Sequence, residues 1–112
     1  MNISKLQGKK VLTVCAAGIS RSYSLMAYLK FRGVKDTLCA GVLTNTPDTM
    51  KMLGDWADVI ILTVAVLKNQ EYPKEWEKKT LVWDVGDDRY FRGIHPDLET
   101  QFAKYLADYE KE

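Results

Sequence analysis

Val11-Leu12-Thr13-Val14-Cys15-Ala16-Ala17-Gly18-Ile19-Ser20-Arg21-Ser22 is the stretch whose reading settles the architecture. Its first four residues are apolar or β-branched and few, the pattern of a strand buried on both faces of a parallel sheet. From Ser20 to Gly33 the spacing predicts a helix. Leu25 and Leu29 are four apart, Met26 and Leu29 three apart, and Gly33 supplies the C-terminal stop. Between strand and helix lies a turn of small residues that begins at Cys15 and reaches Arg21. Lys9 and Lys10 ahead of the apolar run imitate a secretion signal, but that run is at the short limit and Arg21 follows at once. The expectation is a buried strand in an uncleaved chain that begins at Met1.

Outward from this stretch the chain alternates. Thr37 to Val42 is a second strand. Thr46-Pro47-Asp48 opens a short helix, with Thr as N-cap, Pro at the first position and an acid in the first turn; Gly54 is expected to end it. Val59 to Val64 is a third strand, Pro73 starts about one helical turn through Trp76, and Leu81 to Val85 is a fourth strand. Gly86 to Gly93 reads as a polar loop. Pro96 starts the last helix, whose stripe is Leu98, Phe102, Tyr105, Leu106 and Tyr109. This alternation predicts an α/β fold, a three-layer sandwich with a four-stranded parallel sheet flanked by helices. The 112 residues make one domain, 1–112. In such sheets a ligand sits at the carboxyl ends of the strands, where strand order reverses, which is where the Cys15 turn falls.

Composition narrows the function classes. The hydrophobic share of 46% excludes a disordered chain, and the longest apolar run, Val59 to Leu67 broken by Thr63, is too short to cross a bilayer. No membrane partner is expected. Two cysteines without a CxxC pattern cannot frame a disulfide scaffold or a four-ligand zinc site. Reduced thiols and a cytoplasmic protein are the simpler expectation, with no metal and no cofactor. Residues 1–35 hold seven basic residues and no acidic one, while the remainder carries a net charge of −6. The first third therefore attracts an anion, but too locally for a nucleic-acid surface.

The turn has the chemistry to hold that anion. Ala16, Ala17, Gly18, Ile19 and Ser20 are mostly small, so successive backbone N–H groups, with those of Arg21 and Ser22, can point at one oxyanion such as phosphate. The helix start adds partial positive charge, and Arg21 can grip two phosphate oxygens side by side. An electropositive cup favours the thiolate form of a cysteine at its base. A thiolate in line with a phosphoryl group is a nucleophile, and Ser22 or Ser20 can donate a hydrogen bond to it. The plain alternative makes Cys15 a small buried hydrophobe and Arg21 a surface residue. Asp84, Asp87 and Asp88 cluster at the end of the fourth strand, on the same rim. Asp84 is read as a turn cap around Gly86, and Cys39 as buried and inert. His95 is read as a residue at the start of the last helix, and Trp76 and Trp83 as packing. Trp56 and Tyr109 are apolar candidates for a dimer face; the oligomeric state stays open.

The arrangement strand, V-C-x5-R-S, helix resembles the low-molecular-weight protein tyrosine phosphatases. Cys39-Ala40-Gly41 stands where that family has Ser-Ala-Gly, Trp56-Ala57-Asp58-Val59-Ile60-Ile61 is similar to its third-strand start, and Trp83-Asp84-Val85-Gly86-Asp87-Asp88 to its acid loop. The likeness covers roughly residues 10–90 and is nearest to short bacterial or phage-type members. It implies a cysteine-dependent phosphomonoester hydrolase acting on phosphotyrosine in a protein or on a small aryl phosphate. In that reading Cys15 is the nucleophile that becomes phosphocysteine, Arg21 the phosphate clamp and Asp87 the general acid, with Asp88 its rival. The resemblance also implies that Tyr90 and Phe91 wall the pocket beside Asp88; the alternative makes one of the two aromatics a core anchor. The chain departs from the family at Ala17 and Gly18, at Ser20 in place of its second loop cysteine, and at Tyr23 in place of Pro. The letters C-x-x-G-x-S-R-S match dual-specificity phosphatases better. A second resemblance is to the C-A-A-G-M-S loop of sugar phosphotransferase IIB domains of the lactose/cellobiose type, phosphocysteine carriers that have Thr where this chain has Arg21. Arsenate reductases on this fold need further cysteines. A binding module for a phosphorylated partner is the non-enzyme reading.

Overall fold

A computed structural model of the protein describes residues 5–16, 21–65, 73–86 and 96–111. It holds four strands, β1 (Val11–Cys15), β2 (Thr37–Gly41), β3 (Val59–Leu62) and β4 (Thr80–Val82), and three α-helices, α1 (Arg21–Phe31), α2 (Pro47–Trp56) and α3 (Pro96–Glu110). A 3-10 helix spans Lys74–Lys79. The strands form one parallel sheet in the order β2-β1-β3-β4. The chain leaves β1 for β2 on one side and returns to β3 on the other. Strand order therefore reverses at the carboxyl ends of β1 and β3, where an open parallel sheet has its binding crevice.

Period-two alternation along the strands divides the core in two. Val11, Val59 and Ile61 join Leu25, Tyr28 and Leu29 of α1 and Leu98, Phe102 and Leu106 of α3. Leu12, Val14, Ile60 and Leu62 turn the other way, toward Trp76 of the 3-10 helix and Met50, Leu53 and Trp56 of α2. Helices thus cover both faces, an arrangement compatible with a three-layer sandwich. β1 and β3 are buried along their whole length, which fits their apolar and β-branched sequences, Thr13 being the one polar residue. Trp76 and Trp83 are packing residues, as expected; Trp83 stacks on Tyr105 with centroids 5.9 Å apart. Trp56 and Tyr109 are partly buried and pack against these same cores. Among the described residues no helix is long and apolar enough to cross a membrane.

The capping chemistry read from the sequence is present. Gly33 has φ +94, and the N–H groups of Gly33 and Val34 donate to the carbonyls of Lys30 and Leu29, the paired bonds of a Schellman motif. Thr46 Oγ1 accepts from Thr49 N at 3.2 Å, ahead of Pro47. Gly54 does not end its helix, which continues to Trp56. The glycine is buried, and Trp76 occupies the space a side chain would take. β1 runs one residue further than expected, to Cys15, while β2, β3 and β4 are shorter, yet their pairing runs on. Val42 N donates to Cys15 O at 3.0 Å, Thr63 N to Val14 O at 2.9 Å and Val85 N to Thr63 O at 3.0 Å.

Asp58 pins the start of β1 to β3. Its Oδ2 accepts from Lys10 N at 2.9 Å, while Lys10 O accepts from the N–H groups of Asp58 and Val59. The bond from Lys10 N, assisted by the charges of Lys10, Lys9 and Lys79, holds the Asp58 carboxyl below its ordinary value. A depressed carboxyl contributes stability above its unfolded pKa of about 3.9, and that stability is lost as pH falls through the folded value. Asp58→Asn, which mimics the protonated acid, is therefore expected to lower the melting temperature at neutral pH. The gap from wild type should close below about pH 4. Melting curves at the two pH values check this; a gap independent of pH would contradict it.

Candidate functional site

Cys15 ends β1 at the strand-order reversal, and its side chain is buried. Its Sγ lies 3.0 Å from the hydroxyl of Ser22, one residue into α1 from Arg21. Two bonds fix Ser22. Its carbonyl accepts from Thr13 Oγ1 at 2.8 Å, and its own hydroxyl reaches Ala40 O at 3.5 Å. Thr13 and Cys15 share one sheet face by the strand period, so β1 presents both the sulfur and the anchor for its partner. Neither the Thr13 contact nor the Ala40 contact is signalled by sequence spacing, because each depends on how α1 crosses the sheet.

Arg21 opens α1 and is only 4% exposed. That overturns the plain alternative of a surface helix residue. Burying a guanidinium is costly unless it is hydrogen-bonded or meets an anion. Its Nη1 donates to Gly86 O at 2.9 Å, which draws the loop after β4 to the loop after β1. The sequence placed both loops on one rim but gave no sign that a backbone carbonyl would receive the arginine.

Asp84 acts as the turn cap expected of it. Its Oδ1 accepts from Gly86 N at 3.3 Å and from Ala65 N, just beyond β3, at 3.0 Å. Its carbonyl accepts from Tyr105 Oη at 2.7 Å. Gly86 takes φ +81, a conformation side chains rarely adopt. The carboxylate, the left-handed glycine and the arginine bond together hold the chain immediately before Asp87. On the far side, Ala16 O accepts from Leu43 N at 2.8 Å, and Asn45 Oδ1 from Gly41 N at 2.9 Å, closing the turn after β2.

Cys39 is half-buried rather than buried. Burial pushes its thiol up, with the charge of Cys15 adding to the rise and that of Lys30 opposing it. A protonated thiol is a poor nucleophile, which argues against Cys39 as the reacting sulfur. Among the described residues no group of three or more His, Cys, Asp or Glu could hold a metal ion. Ala17, Gly18, Ile19 and Ser20 lie outside the described residues, as do Asp87, Asp88, Tyr90, Phe91 and His95. The described part of the site is thus Cys15, Ala16, Arg21 and Ser22, braced by Thr13, Asp84 and Gly86.

No family model matches the chain, and neither a curated protein nor a solved structure matches it.

Proposed function

We propose that the protein is a cysteine-dependent phosphomonoester hydrolase of the low-molecular-weight tyrosine phosphatase type. The observation that carries this reading is Cys15 Sγ held 3.0 Å from Ser22 Oγ at the sheet's crevice, with Arg21 buried at the start of the adjoining helix. A hydroxyl beside the sulfur stabilises a thiolate and a phosphothioester's leaving sulfur. A buried guanidinium at a helix N-terminus suits a dianionic phosphoryl group.

In the proposed reaction, Cys15 Sγ attacks phosphorus, the ester P–O bond breaks, and Asp87 gives its proton to the leaving oxygen. Water then attacks the phosphocysteine while Asp87 takes up a proton. The S–P bond breaks and returns the thiolate with inorganic phosphate. The backbone N–H groups of 16–22 and the Arg21 side chain carry the oxygens' charge through both steps. Asp87 has this role by resemblance and by position, next to the Gly86 that accepts from Arg21.

The test is vanadate-sensitive hydrolysis of para-nitrophenyl phosphate between about pH 5 and about 8. Asp87→Ala is expected to slow aryl phosphates with poor leaving groups most, by roughly a hundredfold, and nitrophenyl phosphate less. An equal loss across leaving groups would move the acid to another residue. The phosphocarrier reading draws on the Cys15-Ala16-Ala17-Gly18-Ile19-Ser20 letters. It leaves the buried Arg21, bonded to the loop before Asp87, without a purpose. Phosphate binding without turnover would favour it or a binding module. Transfer to Cys15 from a phosphohistidine donor protein would then separate those two.

A further inference from the structure

The side of α1 turned away from the sheet forms an open groove of about 670 Å³, lined chiefly by Tyr23, Met26, Lys30, Phe31 and Arg32, with Glu99 of α3 at its edge. Phe31 is 92% exposed and Tyr23 41%, unusual for aromatic side chains on a small domain. The groove has a set floor: the Arg32 guanidinium lies 4.1 Å from the centroid of the Tyr28 ring, whose other surroundings include Phe102. Two cations face one acid there, and residues 1–35 as a whole carry no acidic residue. One end of the groove starts in the turn of α1 that carries Arg21. Tyr23 stands two residues beyond the buried Arg21, and α1 carries the surface from Tyr23 to Phe31, about 12 Å along its axis.

We infer that this groove docks the polypeptide flanking a phosphorylated residue, and that the flank it selects is acidic with a large apolar anchor. The inference rests on the phosphatase reading and names its substrate class: a phosphoprotein rather than a free aryl phosphate. Acidic side chains meet Lys30 and Arg32, and the anchor lies between Phe31 and Met26. Such pairing of a desolvated aromatic with flanking charge is how a few residues dominate peptide affinity.

The experiment compares three substrates on the intact chain: para-nitrophenyl phosphate, a phosphotyrosine peptide with a Glu/Asp-rich flank carrying Leu and Phe, and the same peptide with Lys for each acid. Wild type is expected to favour the acidic peptide. Phe31→Ala and Arg32→Glu should each lower its kcat/KM roughly five- to tenfold, through KM, and leave para-nitrophenyl phosphate within about twofold. Both side chains are exposed, so the fold is not at stake. Equal effects on all three substrates, no effect on any, or a preference for the basic peptide overturns the inference. So does a dimer that Phe31→Ala dissociates, since a second copy would then fill the groove. If wild type hydrolyses nothing, the phosphatase reading has failed by itself. Amide chemical-shift changes on adding the acidic peptide then decide the groove. Shifts along residues 23–32 that Phe31→Ala abolishes support it, and their absence overturns it.

Discussion

Cys15→Ser is expected to abolish hydrolysis of para-nitrophenyl phosphate, by at least about a thousandfold, while phosphate still binds. The hydroxyl is a far weaker nucleophile near neutral pH and a far poorer leaving group from phosphorus. The substitution is small, and Ser22 Oγ remains as a hydrogen-bond partner in place of the 3.0 Å contact to sulfur. The melting temperature should therefore stay within a few degrees of wild type. Phosphate binding, read by calorimetry or by phosphorus NMR, should survive because Arg21 and the loop backbone are untouched. Residual turnover near the wild-type level would remove Cys15 from the chemistry altogether.

The largest stability effect is expected from Gly54→Ala. Helix propensity alone predicts a gain of about 1 kcal/mol for alanine inside a helix. Packing predicts the opposite, and with more force. A Cβ at Gly54 would overlap Cζ2 and Cη2 of Trp76 and lie 2.6 Å from its Cε2. That ring cannot simply swing away. It is 4% exposed, its Nε1 donates to Asp55 Oδ1 at 3.0 Å, and it caps the core formed by Leu12, Val14, Ile60 and Leu62. Lys79 Nζ also donates to the carbonyls of Gly54 and Ala57, tying the 3-10 helix to the end of α2. Overpacking of this kind costs about 1–3 kcal/mol or more. The net expectation is a loss near 2 kcal/mol, or a melting temperature lowered by roughly 10 °C. Tryptophan fluorescence should shift toward a more exposed ring. Equal or higher stability would mean that α2 and Trp76 do not meet this way.

Gly54 also marks the boundary of what the sequence could convey. A glycine near the end of a helical pattern reads as a stop, because the local signal for a stop and for close packing is the same residue. The difference lies in Trp76, distant in sequence, whose approach depends on the return of the chain from β3. Gly33 was legible because a Schellman motif is local: its two bonds span only Leu29 to Val34. The strands were legible as buried runs, but their ends were not. Val42, Thr63 and Val85 keep pairing with the sheet after the regular strand ends, so the apolar pattern outlasts the strand.

In the candidate site, Cys15 and Arg21 were legible as types and spacing. Their surroundings were not. The Thr13–Ser22 bond depends on how α1 crosses the sheet, and the Arg21–Gly86 and Asp84–Ala65 hydrogen bonds join segments brought together by strand order. Asp84 is legible for a local reason, since a carboxylate two residues before a left-handed glycine caps its own turn.

The most direct test of the central claim is a rapid-quench trap of the intermediate. Wild-type protein is mixed with para-nitrophenyl phosphate, quenched in acid within one turnover, digested and read by mass spectrometry. The account predicts a phosphoryl group on the peptide containing Cys15, formed with the nitrophenol burst and absent from Cys15→Ser. Nitrophenol release with no phosphoryl group on Cys15, or with the group on another residue, would contradict it.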